Sequence, residues 1–71
     1  MNKKVNWERT MANLRNALAA EQMPHYMFAY QVGISPQQLS NYLSCRYNPS
    51  VETFMAMHDV IDFQTVWTWG R

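Results

Sequence analysis

The sequence predicts an all-α fold, a compact bundle of four to five short helices. Trp7, Met11, Leu14 and Leu18 recur at steps of four, three and four, the spacing of one helical face. Start and stop residues (Asn6, Pro24, Gly33, Ser35, Pro49, Ser50) cut the chain into helix-length pieces. With 71 residues, 48% of them hydrophobic, the chain has material for one core, best built from local contacts. Residues 1–71 are therefore expected to form a single domain.

Taken in order, Asn6 is the expected N-cap of the first helix. Pro24 suits the first turn of a second, two-turn helix, "PHYMFAYQV", which stops at Gly33. Ser35-Pro36-Gln37-Gln38 combines a Ser-x-x-Gln capping box with proline at the first helical position. The third helix, over residues 36–44, should turn Leu39, Tyr42 and Leu43 inward, and "CRYNP" breaks it. Ser50 opens a fourth helix with Val51, Phe54, Met57 and Ile61 on its apolar face. The tail "DFQTVWTWGR" is expected to add a last short helix before Gly70.

Composition narrows the function. Net charge is only +1, so the placement of charge matters more than its sum. No acid lies between Pro24 and Val51; Glu8, Glu21, Glu52, Asp59 and Asp62 all fall outside that stretch. One cysteine, Cys45, rules out an internal disulfide and the paired-Cys metal spacings, which fits a reducing cytoplasm. No stretch has the length and apolarity of a signal peptide or a membrane span, so a cytoplasmic domain without membrane contact is expected. His25 and His58 lack ligand partners at metal spacing, and no serine or cysteine has a recognisable base. No enzyme activity, metal, cofactor or small-molecule ligand is expected.

A short helix, a glycine-centred turn and a capped polar helix, over residues 24–44, is the order of a helix-turn-helix. The surrounding residues resemble the lambda-repressor-like, or Xre-type, DNA-binding family. Phe28-Ala29 stands where that family has Leu-Ala, four residues before the turn glycine, Gly33; Ile34 and Ser35 follow it. Leu39 and Ser40 match the core and polar positions of the recognition helix, and "RYNPSVETFMAMHDVI" matches a basic loop ending in Pro-Ser and the following helix. The likeness spans residues 13–61.

Two departures are informative. The family's Glu-x-Gly after the recognition helix is Leu43-Ser44-Cys45, and the first-helix Arg that often pairs with that Glu is Leu18. Both partners of an ion pair are thus leucines, a coherent swap, since losing one alone strands a buried charge. A family Gln at the start of the recognition helix is Pro36, which can meet a thymine methyl but makes no amide contact.

The resemblance implies a sequence-specific transcriptional regulator, a Cro-like phage or mobile-element repressor. It would bind double-stranded DNA at a palindromic operator as a homodimer. Base reading is expected from Gln37 and Asn41, with Pro36 and Ser40 assisting. Gln38 is open between reaching DNA and capping Ser35. Backbone contacts are expected from His25, Ser35, Ser44, Arg46, Tyr47 and Asn48, with Lys3 and Lys4 on a flexible basic arm over residues 1–5. The tail at residues 63–71 is open between closing the core and forming a dimer interface through Phe63, Val66, Trp67 and Trp69. The rival expectation keeps the fold but binds a protein, as an antirepressor or antitoxin-like module, through the helix-two tyrosines or the Trp-rich end.

Overall fold

A computed structural model describes residues 3–69, in the order β1 (Lys3–Val5), α1 (Trp7–Ala20), α2 (His25–Val32), α3 (Pro36–Leu43), α4 (Val51–Val60) and β2 (Trp67–Trp69). It is a compact, mostly helical domain of four helices with one small two-stranded sheet. Among the described residues no helix is long and apolar enough to cross a membrane.

Side-chain caps set the starts of α1, α3 and α4, while α2 follows Pro24 with no side-chain cap. The Asn6 side chain accepts from the Arg9 amide, and Ser50 Oγ accepts from the Thr53 amide. At α3 the capping box is complete: Ser35 Oγ accepts from the Gln38 amide at 3.1 Å, while Gln38 Oε1 accepts from the Ser35 amide at 3.0 Å. Both amides would otherwise lack partners at the helix start.

Left-handed residues follow α1, α2 and α3 (Gln22, Gly33 and Cys45), while α4 ends on the extended Ile61. Gly33 ends α2 with φ at 93°; a Cβ there would meet nothing within 4 Å, so backbone conformation rather than space favours glycine. After α3, Cys45 takes φ of 63°, its amide reaching the Tyr42 carbonyl while the Arg46 amide reaches that of Asn41. This is a Schellman closure with cysteine where glycine is preferred. Cys45→Gly should therefore raise stability by about 0.5–1 kcal/mol, read as a higher urea midpoint at constant slope.

The core gathers Met11, Leu14 and Leu18 from α1, Phe28 and Ala29 from α2, Leu39 and Leu43 from α3, and Met57 from α4, closed by Ile61 and Phe63. The expected inward faces of α1 and α3 are thus present. Val51 differs: it is 75% exposed, because it is the first residue of α4 and its turn projects beyond the core.

Both ends of the chain also depart from expectation. The expected final helix is a strand, and the expected arm is, from Lys3 onward, its antiparallel partner; residues 1, 2, 70 and 71 of those two segments lie outside the described residues. Lys3 pairs with Trp69, Lys4 with Thr68 and Val5 with Trp67. The reason lies in α1. Thr10 is fully buried, and its hydroxyl accepts from the Val66 amide at 2.9 Å. The Asn6 amide donates to the Val66 carbonyl at 2.7 Å, and Asn13 Nδ2 to the Gln64 carbonyl at 3.0 Å. These bonds hold the tail extended along α1, and an extended tail delivers its Trp-Thr-Trp segment to the amino terminus.

Phe63 is buried at 7% exposure, so it closes the core and is unavailable to a dimer interface. It stacks on His58 with centroids 4.1 Å apart and planes 7° from parallel. Phe54 meets both rings edge-on, and Trp7 meets Phe54 at 5.0 Å. His58 Nε2 lies 3.3 Å from the Thr65 hydroxyl, so this histidine joins α4 to the tail as a packing residue.

Candidate nucleic-acid interface

The α3 helix buries Leu39 and Leu43, which fixes what its other faces present. Pro36, Gln37, Gln38 and Ser40 are exposed and Asn41 is half-buried. Because Leu39 and Leu43 anchor one side four residues apart, Gln37 and Asn41 are also one helical turn apart and share a neighbouring face. Gln37 Nε2 donates to Asn41 Oδ1 at 3.3 Å, so the two amides meet.

The remaining expected readers differ in availability. Gln38 Oε1 is occupied by the capping bond, which makes capping its role in this structure. Ser40 keeps an exposed hydroxyl. Pro36 offers an exposed ring at the first turn of α3 and no amide hydrogen.

Of the residues expected to meet a backbone, His25, Ser35, Ser44, Arg46, Tyr47 and Asn48 are all exposed. His25 opens α2 and Ser35 opens α3, while Ser44 to Asn48 form the loop after α3. Ser44 Oγ donates to the Asn41 carbonyl at 3.1 Å, so its hydroxyl also secures the helix end. The Arg46 guanidinium lies 6.0 Å from the Tyr47 ring centroid. Lys3 and Lys4 lie on the β1 strand, far from this loop in sequence. Lys3 Nζ rests 4.7 Å from the Trp67 ring and 5.8 Å from that of Trp69.

Arg15, on α1, carries no expectation from sequence, yet it touches α3 directly. Its guanidinium donates to the Leu43 carbonyl at 3.0 Å and so caps a free carbonyl at the end of the helix. A basic residue on the flank of an amphipathic helix gives no sequence signal of such a partner.

A second surface adjoins the start of α3. Tyr26, Met27 and Tyr30 on α2, with Ile34 and Pro36, line an open apolar cavity of about 490 Å³. Tyr30 is 84% exposed. Among the described residues no group of three or more His, Cys, Asp or Glu side chains could hold a metal ion.

No family model, curated protein or solved structure matches this chain.

Proposed function

We propose that this chain is a sequence-specific DNA-binding regulator, a Cro-like repressor of the lambda-repressor-like type, with α2, Gly33 and α3 as its helix-turn-helix. The reading rests on one observation above all: α3 is anchored by buried Leu39 and Leu43 and caps its own start, leaving Gln37 and Ser40 exposed and Asn41 half-exposed beside them. Such a helix suits the major groove, where amides meet base edges. The acid-free stretch from Pro24 to Val51 removes repulsion from phosphate.

On this reading, α3 reads bases, and His25, Ser35, Arg46, Tyr47 and Asn48 contact the backbone. A homodimer would place two copies of α3 in successive major grooves, with half-sites roughly 34 Å apart on a palindromic operator. The exposed Trp67 and Trp69, at 47% and 67%, supply an apolar surface suited to the second copy. Repression by occluding polymerase, in the cytoplasm of a bacterial or phage-infected cell, is the simplest outcome.

The test is a salt-dependent gel shift on duplex DNA enriched from a random pool. Arg46→Ala should weaken every sequence to a similar degree and reduce the salt slope by about one unit. An Arg46→Ala variant with unaltered slope removes Arg46 from the backbone contacts; failure of the wild type to retain any sequence at low salt removes the DNA-binding reading.

The apolar cavity on α2 favours a second reading, an antirepressor or antitoxin-like module that binds a protein through Tyr26, Met27 and Tyr30. It is preferred if specific DNA binding is absent and a partner is held in a manner abolished by Tyr30→Ala.

A further inference from the structure

We propose that the homodimer is crossed: the tryptophan face of one protomer's β ribbon lies on the outer face of its partner's α4, and the same contact is made in return. This rests on the homodimer in the reading above and adds the surface that receives the tryptophans.

The ribbon has one aromatic, cationic face. Alternate residues of a strand share a face, and the register sets Lys3 opposite Trp69. Trp67, Trp69 and Lys3 therefore lie together, with Lys3 Nζ 4.7 Å from the first ring and 5.8 Å from the second. All three side chains are exposed. Lys4, on the other face, adds a second positive charge to the same ribbon.

The outer face of α4 is its complement. Met55 is 62% exposed. Glu52 stands three residues before it and Asp59 four residues after it, both exposed and on the same side of the helix. Val51, one turn before Met55, forms the margin of the patch. The inward side of α4 is given to Met57 in the core and to Phe54 and His58 in the aromatic stack, so Met55 points away from the domain. A methionine between two acids offers a thioether to an indole ring and carboxylates to a lysine.

Sign determines which of these surfaces meet. Ribbon against ribbon would bring the lysine-bearing strands of two copies together, and α4 against α4 would set acids on acids; both are unfavourable. Of the three pairings, only the crossed one joins opposite charges. A two-fold axis then supplies it twice, because the contact of one patch with the other is returned by symmetry.

The two patches also lie at the same end of the molecule. Trp7, two residues after β1, meets Phe54 of α4 with centroids 5.0 Å apart, and Thr65, two residues before β2, meets His58. Both strands of the ribbon thus leave the domain beside α4, so one axis can pass near both patches. Each patch consists of residues outside α2 and α3, which leaves the proposed reading helix clear for DNA.

The experiment uses the full chain without DNA and measures the dimer dissociation constant by sedimentation equilibrium. Trp69→Ala, Met55→Ala, Lys3→Glu and the double variant Glu52→Lys with Asp59→Lys should each raise it about tenfold, since every change is felt at two contacts. Thermal melting checks that each variant is folded, and Met55→Ala, on an exposed side chain, keeps the test valid if a charge variant is not. The decisive arm mixes Lys3→Glu chains with the α4 double variant. Alone, each of these opposes like charges at both contacts. In the mixed dimer one contact is wild-type on both sides and the other has both signs reversed. The dissociation constant should then return to within about threefold of the wild type.

No recovery on mixing overturns the crossed contact. Loss of the dimer with the ribbon variants but not with Met55→Ala or the α4 double variant overturns it too, because another surface then receives the tryptophans. A wild type that stays monomeric at every concentration also overturns it. A wild type that passes the mixing test yet retains no DNA sequence at low salt upholds this interface and removes the DNA-binding reading; one that binds a palindromic site and fails the mixing test does the reverse.

Discussion

Leu43→Glu should unfold much of the protein, and adding Leu18→Arg should recover a large part of the loss. Leu18 and Leu43 are both buried in the core, on helices α1 and α3 that pack together. A lone carboxylate at Leu43 would be desolvated without a partner, at a loss of about 3–5 kcal/mol. Stability for a domain of this size is about 4–10 kcal/mol in total, so the single variant should be partly unfolded in buffer. An arginine at position 18 supplies the counter-charge that the resemblance places there. Urea midpoints of the four members of the cycle give the coupling directly. Arg15 already donates to the Leu43 carbonyl, so the cycle is repeated with Arg15→Ala to trace any rescue to residue 18. Equal instability of the single and double variants would mean that the two leucines do not occupy paired positions, and the alignment to the repressor family would lose its strongest internal support.

The legible and illegible parts of this sequence divide by the range of the interactions involved. Helix starts at Asn6, Ser35 and Ser50 depend on side chains reaching amides three residues away, so the local sequence contains everything needed. The same is true of Gly33, whose left-handed conformation ends α2. The β ribbon is different. Its register joins Lys3 to Trp69 across almost the whole chain, and each strand has only three residues, too few to show a period of two. Thr10 could have been a clue: a hydroxyl beside Met11, one turn before Leu14, on the buried side of α1, calls for a hydrogen-bond partner, and Val66 supplies it. Cys45 shows a third kind of gap. Its left-handed conformation belongs to the Schellman closure of α3; the resemblance sets Cys45 where the family has glycine, but the local residues by themselves do not mark the position.

The site follows the same division. Capping by Gln38 is a local feature and is written in the Ser-x-x-Gln pattern, although the pattern alone leaves the side chain a choice. The spacing of Gln37 and Asn41 puts them one turn apart on the helix, but that their side chains meet is a matter of geometry. From sequence, Phe63 is expected first to close the core, with an interface as the alternative. Its stack on His58 and its burial follow from the tail being drawn back along α1.

Phe28→Ala should be the most damaging of the apolar truncations, lowering stability by about 3–5 kcal/mol. Phe28 is fully buried and the largest of the completely enclosed side chains, lying among α1, α3 and α4 residues of the core. It also holds α2 in place. On that helix only Phe28 and Ala29 are buried, while Tyr26, Met27 and Tyr30 face outward. Loss of the ring removes the largest apolar attachment of α2, because Ala29 has little surface to contribute and Val32 is only partly buried against the core. The core methionines Met11 and Met57 are flexible enough to relax toward a cavity, which places the expected loss nearer the lower figure. Val51→Ala is the control on a side chain three-quarters exposed, with an expected change within about 0.5 kcal/mol. Thermal and urea denaturation of both variants test the difference. If Phe28→Ala melts like Val51→Ala, α2 is held by something other than its buried face, and the fixed relation between α2 and α3 on which the proposed base reading depends would have to be sought in the short turn at Gly33 alone.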